Sequence, residues 1–481
     1  MKISDIISKE ECCFANADFN TEFNRLTTDK SKIGNRDILI ITPSGESSGL
    51  SNIPAMPLAV ICGENVILPD NITQIVVKDI RKTIANSFFK YEKISLEKTK
   101  LIAVTGTNGK TSTASMIKAI LSESGIKVGF IGTGKIEIGS ETISEKNYSM
   151  TTPQPSLLYS SIRKMQENGC GAIVMEISSH ALAQDRAYPL EFDWGVFTNL
   201  SAEHMDYHFG MEDYFKTKMK LFKNTKRAVI NVDGRYGCRA FSEINTSKIS
   251  VGALYKADVY VDEVENLGFD GVRYRLNGKY GQVSVNLSLP GIYNVYNSAL
   301  AAAVCLDYGI DKGTVSSALA KITQVPGRFE IIKGDVTVII DYAHTAEAFE
   351  SVLREISRMK KGRKLTVVFG CGGERDRKKR PMMAMSAERY ADRIILTSDN
   401  SRSEPTERII EDIERGFTKS NREALISREK AITKAILTSE VGDLIAIIGK
   451  GDERYNIDKD GYHYFNEKEI IFSALKRREE T

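Results

Sequence analysis

Short apolar runs separated by Gly, Ser, Pro and Asn clusters occupy the first part of the chain: Ile38 to Ile41, Leu58 to Cys62 and Gln74 to Val77, broken by clusters such as Pro43 to Pro57. Runs of this length bounded by turn formers predict strands, so this part predicts a small α/β domain, and the charged stretch Lys90 to Lys100 predicts a linker behind it. From Lys100 to about Val325, apolar runs (Lys127 to Ile131, Ala172 to Met175, Trp194 to Phe197, Ala228 to Ile230) alternate with helical stretches. That alternation predicts βαβ units, hence a mainly parallel sheet covered by helices. Beyond Gly327 the alternation returns (Val336 to Ile340, Leu365 to Phe369, Arg393 to Leu396, Leu444 to Ile448) and predicts a second, smaller doubly wound domain. The expected fold is α/β in three domains: a small N-terminal α/β domain over 1–98, a central domain built on a phosphate-loop sheet over 99–326, and a doubly wound domain over 327–481. Ligands in such sheets bind beyond the C-terminal strand ends and at domain interfaces. No internal repeat or low-complexity tract occurs.

Length and composition agree with this division. At 481 residues the chain is too long for one ordinary core. With 66 basic against 63 acidic residues its net charge is only +3, which implies no strong nucleic-acid or membrane field. Seven cysteines without C-x-x-C spacing argue against a disulfide framework or a zinc site, and a reducing cytoplasm fits them best. No apolar leader and no run of about 18 apolar residues is found, so no membrane contact is expected. The expected partners are small molecules, with the chain itself a monomer.

The chemistry begins at Gly106-Thr107-Asn108-Gly109-Lys110-Thr111-Ser112, which follows the apolar run Leu101 to Val104 and precedes a helical stretch, Ala114 to Ser122. Strand, glycine loop and helix start form the context in which backbone N–H groups cradle a nucleotide triphosphate. The loop is a shortened G-x-x-G-K-T. Lys110 suits the β/γ-phosphates of ATP, and the Thr111 hydroxyl suits Mg2+ as a hard oxygen ligand. Glu176 ends another strand of the same sheet and is a candidate Mg2+ ligand, although a solvated strand-end carboxylate reads the same way. After the strand to Thr198, two of five histidines, His204 and His208, fall four residues apart. The spacing suits zinc, but no cysteine lies near to complete a site, and a role beside Mg2+ and phosphate fits better. Tyr214 to Phe222 predicts a helix with three lysines, whose periodicity does not separate a functional lysine from a basic solvated face. His180 beside Ser179 reads as structural rather than as part of a nucleophilic triad.

Taken together with Thr151-Thr152-Pro153, Glu176 to His180, Thr198-Asn199-Leu200, Leu289-Pro290-Gly291-x-x-Asn294-x-x-Asn297, Pro326 to Glu330 and Asp341 to Thr345, these segments resemble the motifs of the Mur ligase family in their order. Phe369 to Asp376 through Lys379 to Met383, then Asp399 to Arg402, then Gly449 to Glu453 place the likeness nearest the MurE class. The resemblance covers residues 100 to 470 and implies the same three-domain layout. It implies that Lys110, Lys218, Glu176 and His204 carry catalysis and that Thr111, Glu176, His204 and Lys218 are the metal ligands, with Lys218 carbamylated so that its carboxylate helps hold a second Mg2+. It further implies Asn294, Asn297, Arg328 and Asp341 for the nucleotide, and Thr151, Thr152, Ser178, Gln184 and Arg186 for the UDP-linked acceptor. Arg375, Asp399, Asn400, Ser401, Arg402, Gly449 and Glu453 correspond to the amino-acid site.

Within that site the arginine of Asp-Asn-Pro-Arg grips a distal carboxylate in diaminopimelate-adding members and is missing from lysine-adding ones. Arg402 therefore favours meso-diaminopimelate, since a guanidinium pairs bidentately with a carboxylate and repels an ammonium. Three departures stand out: Ser401 replaces proline, Asp452 replaces the histidine of Gly-Lys-Gly-His-Glu, and Ala346 replaces a proline. The uridine-binding Asp-Ser-Arg is represented at best by Asp29-Lys30-Ser31.

The implied activity is ATP-dependent amide ligation through an acyl phosphate, adding meso-diaminopimelate to UDP-N-acetylmuramoyl-L-alanyl-D-glutamate for peptidoglycan. Its alternatives are a related ligase acting on a carboxylate without UDP, a lysine-adding MurE, and a catalytically silent nucleotide-binding protein. Folylpolyglutamate synthetases share the loop and the lysine, but are not expected to carry the two C-terminal segments.

Overall fold

The computed structural model describes residues 1–43, 53–69, 72–144, 148–205 and 207–480. Most of the Pro43 to Pro57 cluster lies outside them. Three main sheets follow one another along the chain. The first has five strands ordered Cys12–Ala15, Thr73–Val77, Ala59–Cys62, Ile38–Ile40, Leu26–Thr27, parallel except at the Cys12–Ala15 edge. Helix Ile80–Tyr91, capped by Asp79 accepting from the Lys82 N–H, continues into the expected linker, which is thereby shortened to residues 92–99.

The second sheet has eleven strands, and its centre is parallel: Thr225–Asn231, Phe192–Phe197, Lys100–Thr105, Ala172–Glu176 and Val128–Gly132, in that order. These strands are nearly all apolar because helices cover both faces, as parallel sheets require. Antiparallel strands extend both edges, with Val272–Gly278 and Val283–Leu287 at one end and Lys135–Ile138 and Glu141–Thr142 at the other. A purely βαβ reading does not foresee them. Their signal is an alternation of buried and exposed residues along Val283–Leu287, the mark of a strand with one wet face.

The third sheet runs Glu330–Ile332, Thr337–Asp341, Leu444–Ile448, Leu365–Phe369, Arg393–Leu396, Arg422–Ala424, parallel except at its first strand. Each fully buried aliphatic side chain on such a strand contributes about 1.5–3 kcal/mol. A separate hairpin, Tyr455–Asp458 with Gly461–Tyr464, follows. The apolar core beneath the first sheet is continuous with one face of the second, from Ile3 to Ile244. Among the described residues, no helix is long and apolar enough to cross a membrane.

Register decides where the chemistry collects. Val196 pairs with Val104 and Glu176 with Val104, so the segments after Thr105, Glu176 and Phe197 leave one edge of the second sheet side by side. Ile448 pairs with both Asp341 and Phe369, so residues 341–345, 370–376 and 449–453 likewise leave one edge of the third.

Candidate functional site

The loop after strand Lys100–Thr105 enters helix Lys110–Glu123 through Gly109, which has φ +83. A Cβ on Gly109 would lie 2.3 Å from Asn297 Oδ1, and one on Gly106 would lie 1.9 Å from Thr198 Oγ1, so only glycine fits at either place. Neighbouring strand ends hold the loop from below. The Asn108 N–H donates to Asn199 Oδ1 at 2.9 Å, and the Asn108 carbonyl accepts from Thr198 Oγ1 at 2.6 Å. Lys110 is folded back on its own loop, with Nζ 2.6 Å from the Thr107 carbonyl and 3.0 Å from that of Gly106.

A cavity of 410 Å³ opens above this loop. Thr107 to Ser112, Glu176, His204, Lys218, Asn297, Arg328 and Asp341 all line it, residues drawn from both the second and third sheets. Asn294 sits behind the wall, its amide donating to the Pro290 carbonyl at 2.8 Å and accepting from Asn297 at 3.3 Å. Thr111 Oγ1 donates to Glu176 Oε2 at 2.9 Å, and Arg328 donates to Thr111 Oγ1 at 3.2 Å while its guanidinium lies 4.1 Å from the Tyr342 ring centre. Asp341 accepts from the Phe329 and Ala343 N–H groups, each at 2.7 Å, and burial pushes its carboxyl up.

Lys218, on helix Met211–Lys223, is 1% exposed and donates to the Gly106 carbonyl at 2.8 Å. Burial, and then the neighbouring Lys110, hold its amine well below the ordinary lysine range. Glu203, unassigned in the sequence reading, proves to be the carboxylate at the centre of this charge. His344 Nε2 donates to it at 2.9 Å, linking the second sheet to the third. Burial alone would raise the Glu203 carboxyl, but the His344 hydrogen bond and the nearby His204, His344 and Lys110 hold it well below the usual range. Its available signal was position, a carboxylate on the segment that follows a central strand. Burial pushes His204 down to about 3.

His208 does not join His204. Its Nδ1 lies 3.2 Å from Asp213 Oδ2 and its Nε2 lies 3.0 Å from Ser179 Oγ, so the imidazole paired with Ser179 belongs to His208, not His180. Ser179 is 2% exposed and His208 4%, and the array braces the loop carrying Glu203 and His204. Among the described residues, no three His, Cys, Asp or Glu side chains converge to hold a metal.

The residues matched to the acceptor also come together. Thr151 Oγ1 meets Thr133 Oγ1 at 3.1 Å; Thr152 Oγ1 donates to the Glu176 carbonyl at 2.9 Å and accepts from the Ser178 N–H at 3.0 Å. The Ser178 hydroxyl caps the short helix Ser179–Ala183. Arg186 donates to Gln184 Oε1 and, at 2.9 Å, to the Thr152 carbonyl.

A second cavity, of 610 Å³, holds Arg375, Asn400, Arg402 and Glu453 in its wall. Arg402 has φ +54 and donates to the Gly373 carbonyl at 2.8 Å. Asn400 is committed within the protein, its amide donating to Glu453 Oε2 at 2.9 Å and accepting from Lys450 at 2.9 Å and the Ile457 N–H at 3.0 Å. Asp399, Ser401 and Gly449 lie behind the wall; a Cβ on Gly449 would meet Asp399 Oδ2 at 2.8 Å. Burial pushes Asp399 up, but Lys450 and Arg428 outweigh it and the carboxyl is lowered. Arg380 and Glu404, which sequence patterning did not single out, tie the loops of Arg375 and Arg402 together: Arg380 is 0% exposed and donates to both Glu404 oxygens at 2.8 Å. Tyr342 stands in the wall of both cavities.

Residues 104–305 match the Mur ligase middle domain and residues 327–451 the Mur ligase glutamate ligase domain. The chain is 39% identical to UDP-N-acetylmuramoyl-L-alanyl-D-glutamate--2,6-diaminopimelate ligase 1 of Clostridium acetobutylicum, over 99% of both chains. It is 37% identical to the 2,6-diaminopimelate ligase of Clostridium tetani, also over 99% of both. A solved UDP-N-acetylmuramoyl-L-alanyl-D-glutamate--2,6-diaminopimelate ligase superposes over 100% of both chains with a TM-score of 0.68 at 26% identity. With relatives this similar along its whole length and two domain models matched in order, the chain belongs to the Mur ligase family.

Proposed function

We infer that the chain is an ATP-dependent ligase that joins 2,6-diaminopimelate, as the meso isomer, to the D-glutamate of UDP-N-acetylmuramoyl-L-alanyl-D-glutamate, in the cytoplasm, for peptidoglycan synthesis. The observation that carries this reading is a phosphate cradle and an arginine-lined cavity that share Tyr342 in their walls. Relatives named for that reaction match through the first domain as well, which favours the UDP-linked acceptor over a carboxylate without UDP. Three units, 1–98, 99–326 and 327–481, would bring the acceptor, ATP and amino acid respectively.

In this reading an acceptor carboxylate attacks the γ-phosphate and displaces ADP, and the diaminopimelate amine then attacks the acyl phosphate, losing a proton and releasing phosphate. Lys110 leaves the Gly106 and Thr107 carbonyls for the transferring phosphoryl group, and Arg328 moves from Thr111 to the same charge. Thr151, Ser178 and Arg186 hold the acceptor. Arg402 and Arg375 take the distal carboxylate of the amino acid, and Glu453 its ammonium.

The donor set fits Mg2+. Thr111 and Glu176 present hard oxygens 2.9 Å apart, and Lys218 is a buried amine whose hydrogen bond goes to a carbonyl. Thr111, Glu176, His204 and a carbamate on Lys218 would hold Mg2+, the carbamate at a second ion, and the metal would neutralise charge on the transferring phosphoryl group when bound. The carbamate forms when the neutral amine adds to carbon dioxide and releases a proton, and the lowered Lys218 supplies that neutral amine.

A panel of acceptors and amino acids, read by phosphate release and product mass, tests the assignment. Turnover with UDP-N-acetylmuramoyl-L-alanyl-D-glutamate and diaminopimelate is expected. Turnover only with lysine, or only with an acceptor lacking UDP, would replace the reading.

A further inference from the structure

Asp452 places a negative charge next to Glu453, where the motif it resembles has histidine. The structure shows what that carboxylate meets. Lys468 Nζ lies 3.3 Å from Asp452 Oδ1 and 2.9 Å from Glu330 Oε2, and the same Glu330 oxygen accepts from the Gly327 N–H at 2.8 Å. Lys468 is 23% exposed and Glu330 6%, so the pair is shielded from much of the screening that weakens surface pairs. Backbone packing closes the same contact: a Cβ on Gly327 would lie 2.2 Å from Asp452 N, and one on Gly451 would lie 2.7 Å from the Gly327 carbonyl.

The two segments so joined do different work. Residues 327–330 carry Arg328, which reaches Thr111 in the nucleotide cavity, and residues 449–453 carry Glu453 in the amino-acid cavity. Lys468 stands at the second position of helix Glu467–Glu479, where the helix dipole disfavours a cation. Its place is therefore set by tertiary partners. Its neighbour Glu467 makes the platform rigid, buried at 1% and paired with Arg428 at 2.5 Å, while Arg428 also donates to the Ser398 and Ile448 carbonyls at 3.1 Å.

We propose that Lys468 is a positioning residue of the amino-acid site, clamping the loop that carries Glu453 to the interdomain segment through Asp452 and Glu330. The clamp deepens the functional reading above and rests on it for the identity of the amino acid. Asp452 is then a structural partner of a cation, whose single charge it shares with Glu330.

The test compares Lys468→Met, which keeps the stem and removes the charge, with Lys468→Arg and Asp452→Asn. Lys468→Met should raise the KM for diaminopimelate about ten- to a hundredfold while the KM for ATP stays within about twofold. Lys468→Arg should restore most of the loss, and Asp452→Asn, which leaves the Glu330 half intact, should fall between. Hydrogen exchange on the protein without substrates should show faster uptake at 449–453 in Lys468→Met and unchanged uptake at 106–111. Equal KM increases for ATP and diaminopimelate, or unchanged exchange at 449–453, would overturn the clamp. Wild-type turnover of diaminopimelate is measured first: its absence sinks the functional reading, and the exchange comparison, which needs no substrate, still decides the clamp.

Discussion

Lys110 and Lys218 donate to one oxygen, the carbonyl of Gly106, at 3.0 and 2.8 Å. Two ammonium groups on one acceptor in a desolvated site repel each other, and both amines are lowered, each by burial before any other cause. In the proposed function the pair would divide its labour, Lys110 serving as a cation on phosphate and Lys218 reacting as a neutral nucleophile.

For Lys110 the expected outcome is near loss of ligation on substitution by alanine, because in the proposed function it would be the loop's cation for the transferring phosphoryl group. A fall of about a hundred- to a thousandfold in kcat is expected, measured by phosphate release. A variant with wild-type turnover would remove the phosphate-loop assignment.

Lys218→Ala should also lose activity, but with partial recovery when a short carboxylate is added to replace the missing carbamate. Crystals grown with bicarbonate should show density for the added carboxylate on Lys218 Nζ. A bare amine in a well-resolved map, with no chemical recovery of the variant, would rule the modification out.

Arg402 should select the amino acid. Diaminopimelate differs from lysine by one carboxylate, and leaving a guanidinium without it costs about 2–5 kcal/mol, roughly 30-fold to several thousandfold in discrimination. The left-handed backbone of Arg402 and the serine at 401 place the effect towards the lower end. The kcat/KM ratio for diaminopimelate over lysine should collapse in Arg402→Ala, and an unchanged ratio would show that another residue selects.

Glu404 should mark the acid limb of stability. The Arg380 hydrogen bonds hold its carboxyl down to about 2 from 4.5, and its side chain is 8% exposed. Its contribution is full above pH 4.5 and is lost as pH falls towards 2, about 3 kcal/mol in all. Urea midpoints across this range should fall with acid in the wild type, and Glu404→Gln should lower the neutral-pH midpoint and flatten the fall. An equally steep acid limb in the variant would place the titrating group elsewhere.

The sequence by itself determined the α/β class, the central strands and the phosphate loop. Period and punctuation are local properties: Leu365 to Phe369, Arg393 to Leu396 and Leu444 to Ile448 are strands with the bounds that their apolar runs predict. Motif order identified the family for the same reason, since Gly106 to Thr111 and Asp399 to Arg402 each lie within a few residues of chain. What tertiary structure alone decided is which distant groups share a partner. Glu203 finding His344, Arg380 joining two loops through Glu404, and His208 rather than His180 facing Ser179 all depend on strand register and on how the second and third sheets meet. Asp452 shows the limit most directly. Read as a lone charge it burdens the amino-acid pocket, and only the folded chain brings Lys468, which Asp452 shares with Glu330, within 3.3 Å.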